Sequence, residues 1–172
     1  MYFFKFIIVF ALTNIIAFSS LNAQDFIPVA EANKDGTKGL YTLERCSSLN
    51  FAILKWAGEA QLNQDGNDIF SELSEEYFAL KTTALWIYEE KGFSKSDAVN
   101  ALERNTKMIE NIYLERFKQN YAKTGEAFGN DALVLSDREF CKAYVVVAYT
   151  QVDFMYGKNW RDMIYEKTDN SF

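Results

Sequence analysis

The sequence contains no histidine, only one proline and only two cysteines. Without histidine, Ser-His and Cys-His nucleophilic catalysis, His-ligated zinc and His-ligated haem are excluded, as is the usual ionisable switch near neutral pH. The chain also lacks an excess of basic residues, since 18 Lys and Arg stand against 24 Asp and Glu and give a net charge of −6. Such a chain is poorly suited to neutralising phosphates, so we expect no nucleic-acid partner.

The first 23 residues have the order of regions typical of a secretory signal peptide. Lys5 is the single charge, an apolar run covers residues 6–18, and a short small-residue stretch ends at Ala23. The run is shorter than the ~20 apolar residues that span a bilayer. We predict a signal peptide at 1–23 and a periplasmic or secreted mature chain that does not span a membrane. An uncleaved anchor and a helix of the core are the alternatives.

The two cysteines are Cys46 and Cys141, and they fit an oxidising compartment. They stand too far apart for a C-x-x-C redox motif, and two thiolates without histidine make a poor zinc site. We therefore predict a structural disulfide, with two buried free thiols as the alternative. We predict no metal site and no cofactor.

The spacing of apolar residues predicts four long helices, at about 38–59, 68–91, 94–124 and 137–156, and a short helix from Asn159. Residues 24–38 are predicted to be a flexible, extended arm, and 39–172 a single helical domain. The fold class expected is all-α, an antiparallel bundle of about four long helices plus a short C-terminal helix, with one inter-helix disulfide.

The start of the fourth helix depends on a choice between two local patterns. Residues 136–139 have the S-x-x-E form of a capping box, which predicts a helix from about Asp137. The β-branched and aromatic run 144–149 is also typical of a strand. The capping box and the lack of a partner strand favour the helix.

The segment 61–66, followed by Glu72, has the spacing of a calcium-binding loop. Gln61 stands where such a loop needs its first carboxylate, and no second copy of the loop exists. We interpret the segment as a polar turn between helices, with Gly66 at positive φ.

Carboxylates and aromatic residues are the remaining candidates for chemistry. Pairs of glutamates on the predicted helices could supply an acid and a base for glycan cleavage, but their spacing favours a solvated face. Aromatic residues make up 16% of the chain and cluster near its C-terminus. We predict three of them as possible partner-binding residues on an aromatic groove for a peptide, glycan or protein: Tyr149, Tyr156 and Trp160.

These observations predict a small exported protein with a non-enzymatic binding or accessory role in the cell envelope. We expect this role because the usual catalytic residue types are missing. The alternative is a cell-wall glycan hydrolase that uses a helix-borne glutamate.

Overall fold

The computed structural model describes residues 26–64 and 66–162, and within them the chain forms helices and turns but no strand. The helices are α1 (Val29–Ala32), α2 (Gly39–Leu62), α3 (Ile69–Glu90), α4 (Lys95–Thr124) and α5 (Ala132–Tyr156). A further helical turn begins at Trp160. The all-α bundle predicted from the sequence is confirmed. The predicted signal peptide and the chain beyond Asp162 lie outside the described residues.

Helix α2 is the centre of the bundle, and α3, α4 and α5 all pack against it. Its residues 42–50 are buried without interruption, so this stretch has no solvent-facing side. Such a helix must satisfy its polar side chains inside the protein, because an unpaired buried polar group costs about 1–3 kcal/mol. Among the described helices, none is long and apolar enough to cross a membrane.

The disulfide between Cys46 of α2 and Cys141 of α5 is confirmed, with an S–S distance of 1.97 Å. It lies in a core cluster that also contains Leu80, Ala148 and Trp160. A second cluster toward the other end of the bundle is built around the aromatic residues Tyr113 and Phe117, together with Phe26, Leu49 and Leu133.

The ends of the long helices follow local chemistry, with one correction. The side chain of Ser94 accepts a hydrogen bond from the backbone N–H of Asp97, and Gly125 ends α4 in the left-handed conformation with φ of 78°. The predicted start of the last long helix at residues 136–139 is wrong. The carboxylate of Asp131 caps α5 by accepting from the N–H groups of Leu133 and Val134, so the helix begins five residues earlier.

Residues 26–38 differ from the extended arm that the sequence predicts. Phe26 and Val29 are buried, and α1 packs against α5. The backbone N–H of Val29 donates to the carboxylate of Asp137 at 2.7 Å, and the Asn33 amide donates to the Tyr144 hydroxyl at 2.7 Å. Two long-range hydrogen bonds therefore attach this segment to the bundle.

Candidate ligand-binding cleft

A cleft of about 360 Å³ lies between α2, α3 and α4. This volume is at the small end of the range of ligand-binding sites, roughly 300–1,000 Å³. Helix α2 contributes two residues to it, α3 contributes two and α4 contributes four. The lining residues are Ser48, Phe51, Tyr77, Lys81, Glu103, Thr106, Lys107 and Glu110.

One part of the cleft is aromatic. The rings of Phe51 and Tyr77 are stacked with their centroids 5.0 Å apart, joining α2 to α3. Both side chains are half-buried, so one part of each ring packs inside the bundle while another remains accessible. Stacked rings of this kind provide a preformed apolar surface for a ligand.

Two hydroxyl groups line the cleft beside these rings. The Ser48 hydroxyl donates to the backbone carbonyl oxygens of Glu44 at 2.7 Å and Thr106 at 3.1 Å. The Thr106 hydroxyl donates to the carbonyl oxygen of Leu102 at 2.8 Å. Because both protons are used within the protein and Ser48 is buried, the half-buried Thr106 oxygen is the one that offers an acceptor lone pair to a ligand.

The charged side chains of the cleft fall into two groups. The buried carboxylate of Glu110 accepts from the Lys55 ammonium at 2.8 Å and from the Lys107 ammonium at 3.3 Å. The hydrogen bond from Lys55 to Glu110, together with the negative charge of Glu110, raises the pKa of Lys55. The Lys81 ammonium instead donates to the Tyr77 hydroxyl, 3.1 Å away, and Glu103 is exposed.

One helical turn before Ser48, the buried side chain of Glu44 holds α3 and α4 together. Its carboxylate accepts from the Tyr88 hydroxyl at 2.5 Å and from the Asn105 amide at 3.0 Å. Burial, together with this hydrogen bond to a carboxylate, raises the pKa of Tyr88 to about 12. Glu44 therefore links α3 and α4 inside the protein and is not part of a solvated acidic face.

A second polar cluster joins α2, α3 and α5. The Asn50 amide donates to the Glu76 carboxylate at 2.7 Å, and the Arg138 guanidinium donates to the side-chain oxygen of Asn50 at 3.3 Å. Burial raises the pKa of Glu76, with the negative charge of Glu72 adding to the effect and Arg138 and Asn50 opposing it.

We expect Glu76→Gln to stabilise the protein at about pH 7, by at most about 1 kcal/mol. Folding raises the pKa of Glu76, so the folded state binds this proton more tightly than the unfolded state does. The resulting stability is present below pH 4.5 and is lost as the pH rises from 4.5 through the pKa of the folded state. At about pH 3 the carboxyl group is protonated in both states and the difference should vanish. Urea unfolding at the two pH values measures this, with the exposed Glu90→Gln as control. A destabilised variant at pH 7 would contradict the prediction.

The structure brings two of the three predicted partner-binding aromatics together, but inside the protein. Trp160 is completely buried, its ring lies 5.7 Å from those of Phe78 and Tyr149, and its indole N–H donates to Asp153 at 2.6 Å. Tyr149 is half-buried and Tyr156 is 55% exposed. Trp160 is thus not exposed to a partner in this arrangement, because its side chain is completely buried in the core.

The loop with calcium-like spacing forms a helix connection. Gly66 has φ of 73°, as predicted. The Asn63 side-chain oxygen accepts from the backbone N–H of Phe70, and Asp68 caps α3 by accepting from the N–H of Ser71. Asp65 lies outside the described residues. Within the described part of the chain, no group of three or more Cys, Asp or Glu side chains could hold a metal ion.

The fold and the cleft define a disulfide-linked helical bundle with a small polar-aromatic cleft. No protein-family model, no curated protein and no solved structure matches this chain. The sequence did not lead us to predict a site at the residues of the cleft. Polar residues on otherwise apolar helix faces, such as Ser48 in the buried stretch of α2, were the pattern that could have indicated them.

Proposed function

We propose that this protein is a non-enzymatic binding protein of the cell envelope and that its ligand occupies the α2–α3–α4 cleft. The observation that carries the proposal is the composition of the cleft, in which stacked rings, hydroxyl oxygens and charged side chains line one concave surface. Ligand sites typically combine an apolar wall with a few convergent polar groups. The disulfide supports location in an oxidising compartment, periplasmic or secreted.

The proposal is tested by filling the cleft. Thr106→Phe places a ring in it, and Thr150→Phe on the exposed side of α5 is the matched control. Each threonine hydroxyl donates to the carbonyl oxygen four residues earlier, at 2.8 and 3.0 Å. The two substitutions therefore remove the same local hydrogen bond, but only Thr106→Phe obstructs the cleft.

We expect the native protein to gain thermal stability from members of a panel of amino acids, dipeptides, amino sugars and aromatic carboxylates. A ligand at 100 times its Kd stabilises the folded state by about 2.7 kcal/mol. Differential scanning calorimetry should show this gain for the native protein and Thr150→Phe, and its loss for Thr106→Phe. If no member binds, or if Thr106→Phe responds like the native protein, the cleft is not the binding site.

One observation favours a second candidate function, glycan hydrolysis by a helix-borne glutamate. Burial shifts the pKa of Glu76 upward, which is the direction that a general acid needs. Hydrolysis of peptidoglycan by the purified protein, lost in Glu76→Gln and kept in Thr106→Phe, would favour the hydrolase. Absence of hydrolysis together with ligand binding at the cleft would favour the binding protein.

A further inference from the structure

We infer that the cleft selects small zwitterions, molecules of amino-acid to dipeptide size that carry one carboxylate, one ammonium group and an apolar or aromatic side chain. This inference rests on the proposed function, because it names the class of ligand that the same cleft would take. It depends on which charges of the cleft are already neutralised within the protein and which are not.

Three charged groups at or beside the cleft are paired with one another, one carboxylate with two ammonium groups. Glu110 accepts from Lys55 and from Lys107, so its carboxylate lies between two ammonium groups. Glu110 is buried and its two partners are partly exposed, which fixes the carboxylate and leaves the lysine chains around it. A buried carboxylate with two cationic partners has little capacity for a further cation, so Glu110 is a structural element of the wall.

Lys81 is a cation with no ionic partner among the described residues. Its ammonium group lies 3.1 Å from the Tyr77 hydroxyl and 5.5 Å from the centre of the same ring. No described carboxylate lies within ion-pairing distance of it. The side chain is half-buried and lines the cleft, so Lys81 can donate hydrogen bonds to a ligand carboxylate that rests against the aromatic rings.

Glu103 is an exposed anion of the cleft and lies on α4, whereas Lys81 lies on α3. Lys107 lies one turn further along α4, but its ammonium group bonds to Glu110 instead. Within the described part of the chain no cation pairs with Glu103. The cleft therefore presents one unpaired ammonium group on α3 and one unpaired carboxylate on α4, which form no ion pair with each other.

A zwitterion satisfies both groups at once, whereas an anion or a cation satisfies only one. An anion would place its charge near Glu103 in a protein whose net charge is −6, and a cation would face Lys81. The Thr106 oxygen adds an acceptor for a ligand N–H group, since its own proton is used within α4. The volume of about 360 Å³ limits the ligand to the size of an amino acid or dipeptide.

Isothermal titration calorimetry with L-phenylalanine and two blocked derivatives tests the inference. N-acetyl-L-phenylalanine lacks the ammonium charge and L-phenylalaninamide lacks the carboxylate, while all three carry the same ring. We expect each blocked derivative to bind about five- to tenfold more weakly than L-phenylalanine, which is the effect of one partly exposed charge contact.

Two variants assign each charge to its residue. Lys81→Gln should weaken L-phenylalanine about five- to tenfold and leave L-phenylalaninamide unchanged, and Glu103→Gln should leave N-acetyl-L-phenylalanine unchanged. Glu115→Gln, in an exposed ion pair with Lys118 on α4, is the control and should change nothing.

Equal binding of all three compounds, or an equal loss of all three in Lys81→Gln, would overturn the inference. If the Phe-based probes fail while the amino sugars or aromatic carboxylates of the panel bind and are lost in Thr106→Phe, the inference fails and the proposed function stands. If no panel member or probe binds at the cleft, both fail.

Discussion

Reduction of the Cys46–Cys141 disulfide is expected to lower the free energy of unfolding by about 4 kcal/mol. The two cysteines are separated by 95 positions, so the bond removes much of the loop-closure entropy of the unfolded chain. The disulfide also joins the central helix α2 to α5 within the core. This effect is a large share of the 5–15 kcal/mol that keeps a typical domain folded.

Urea unfolding followed by far-ultraviolet circular dichroism, with and without dithiothreitol, measures the loss. The double variant Cys46→Ala with Cys141→Ala should unfold like the reduced protein and be insensitive to dithiothreitol, apart from a small cavity term. Identical midpoints for the oxidised and reduced native protein would show that the disulfide adds no stability.

Asp137→Asn is expected to cost about 3–5 kcal/mol, because it leaves the Arg45 guanidinium buried without its counter-charge. Both side chains are within 1% of complete burial, and their closest N–O distance is 2.6 Å. One oxygen of Asp137 also accepts from the Tyr113 hydroxyl at 2.5 Å, and the other accepts from the backbone N–H of Val29. Burial raises the pKa of Tyr113 well above its usual value, so it remains a proton donor in this cluster.

The control is Glu139→Gln, two residues away on α5 in a solvent-exposed pair with Lys142. Exposed pairs contribute only about 0.2–1 kcal/mol, so this variant should unfold close to the native midpoint. A double substitution, Arg45→Met with Asp137→Leu, removes both buried charges but leaves the Tyr113 hydroxyl and the Val29 N–H without their acceptor, so it should recover only part of the loss. Equal destabilisation by Asp137→Asn and Glu139→Gln would contradict the importance assigned to the buried pair.

The same variant tests how residues 26–33 are attached. Arg45 lies 3.6 Å from the centre of the Phe26 ring, and Val29 donates to Asp137, so the cluster holds this segment against the bundle. Asp137→Asn should therefore increase cleavage by proteases within residues 26–33 before the rest of the domain unfolds.

Much of the architecture could be predicted from the sequence because its determinants are local. The 3.6-residue spacing of apolar side chains placed all four long helices, and Ser94, Asp97 and Gly125 indicated the bounds of α4 through contacts within a few residues. The cysteine pairing could be predicted because the chain has only two candidates. The start of α5 was predicted too late because residues 136–139 match a capping box, whereas Asp131 is the residue that caps the helix.

The sequence by itself determined the helical class, the order of the helices and the pairing of the cysteines. Tertiary structure alone decided which polar and aromatic side chains are buried. Arg45 and Asp137 form a buried pair although they are 92 positions apart in the chain. Trp160 was predicted at an interface, but it is buried with the ring of Phe78 stacked beside it. The cleft arises in the same way. Its lining comes from three helices, and periodicity in one helix carries no information about which residues of another will face it.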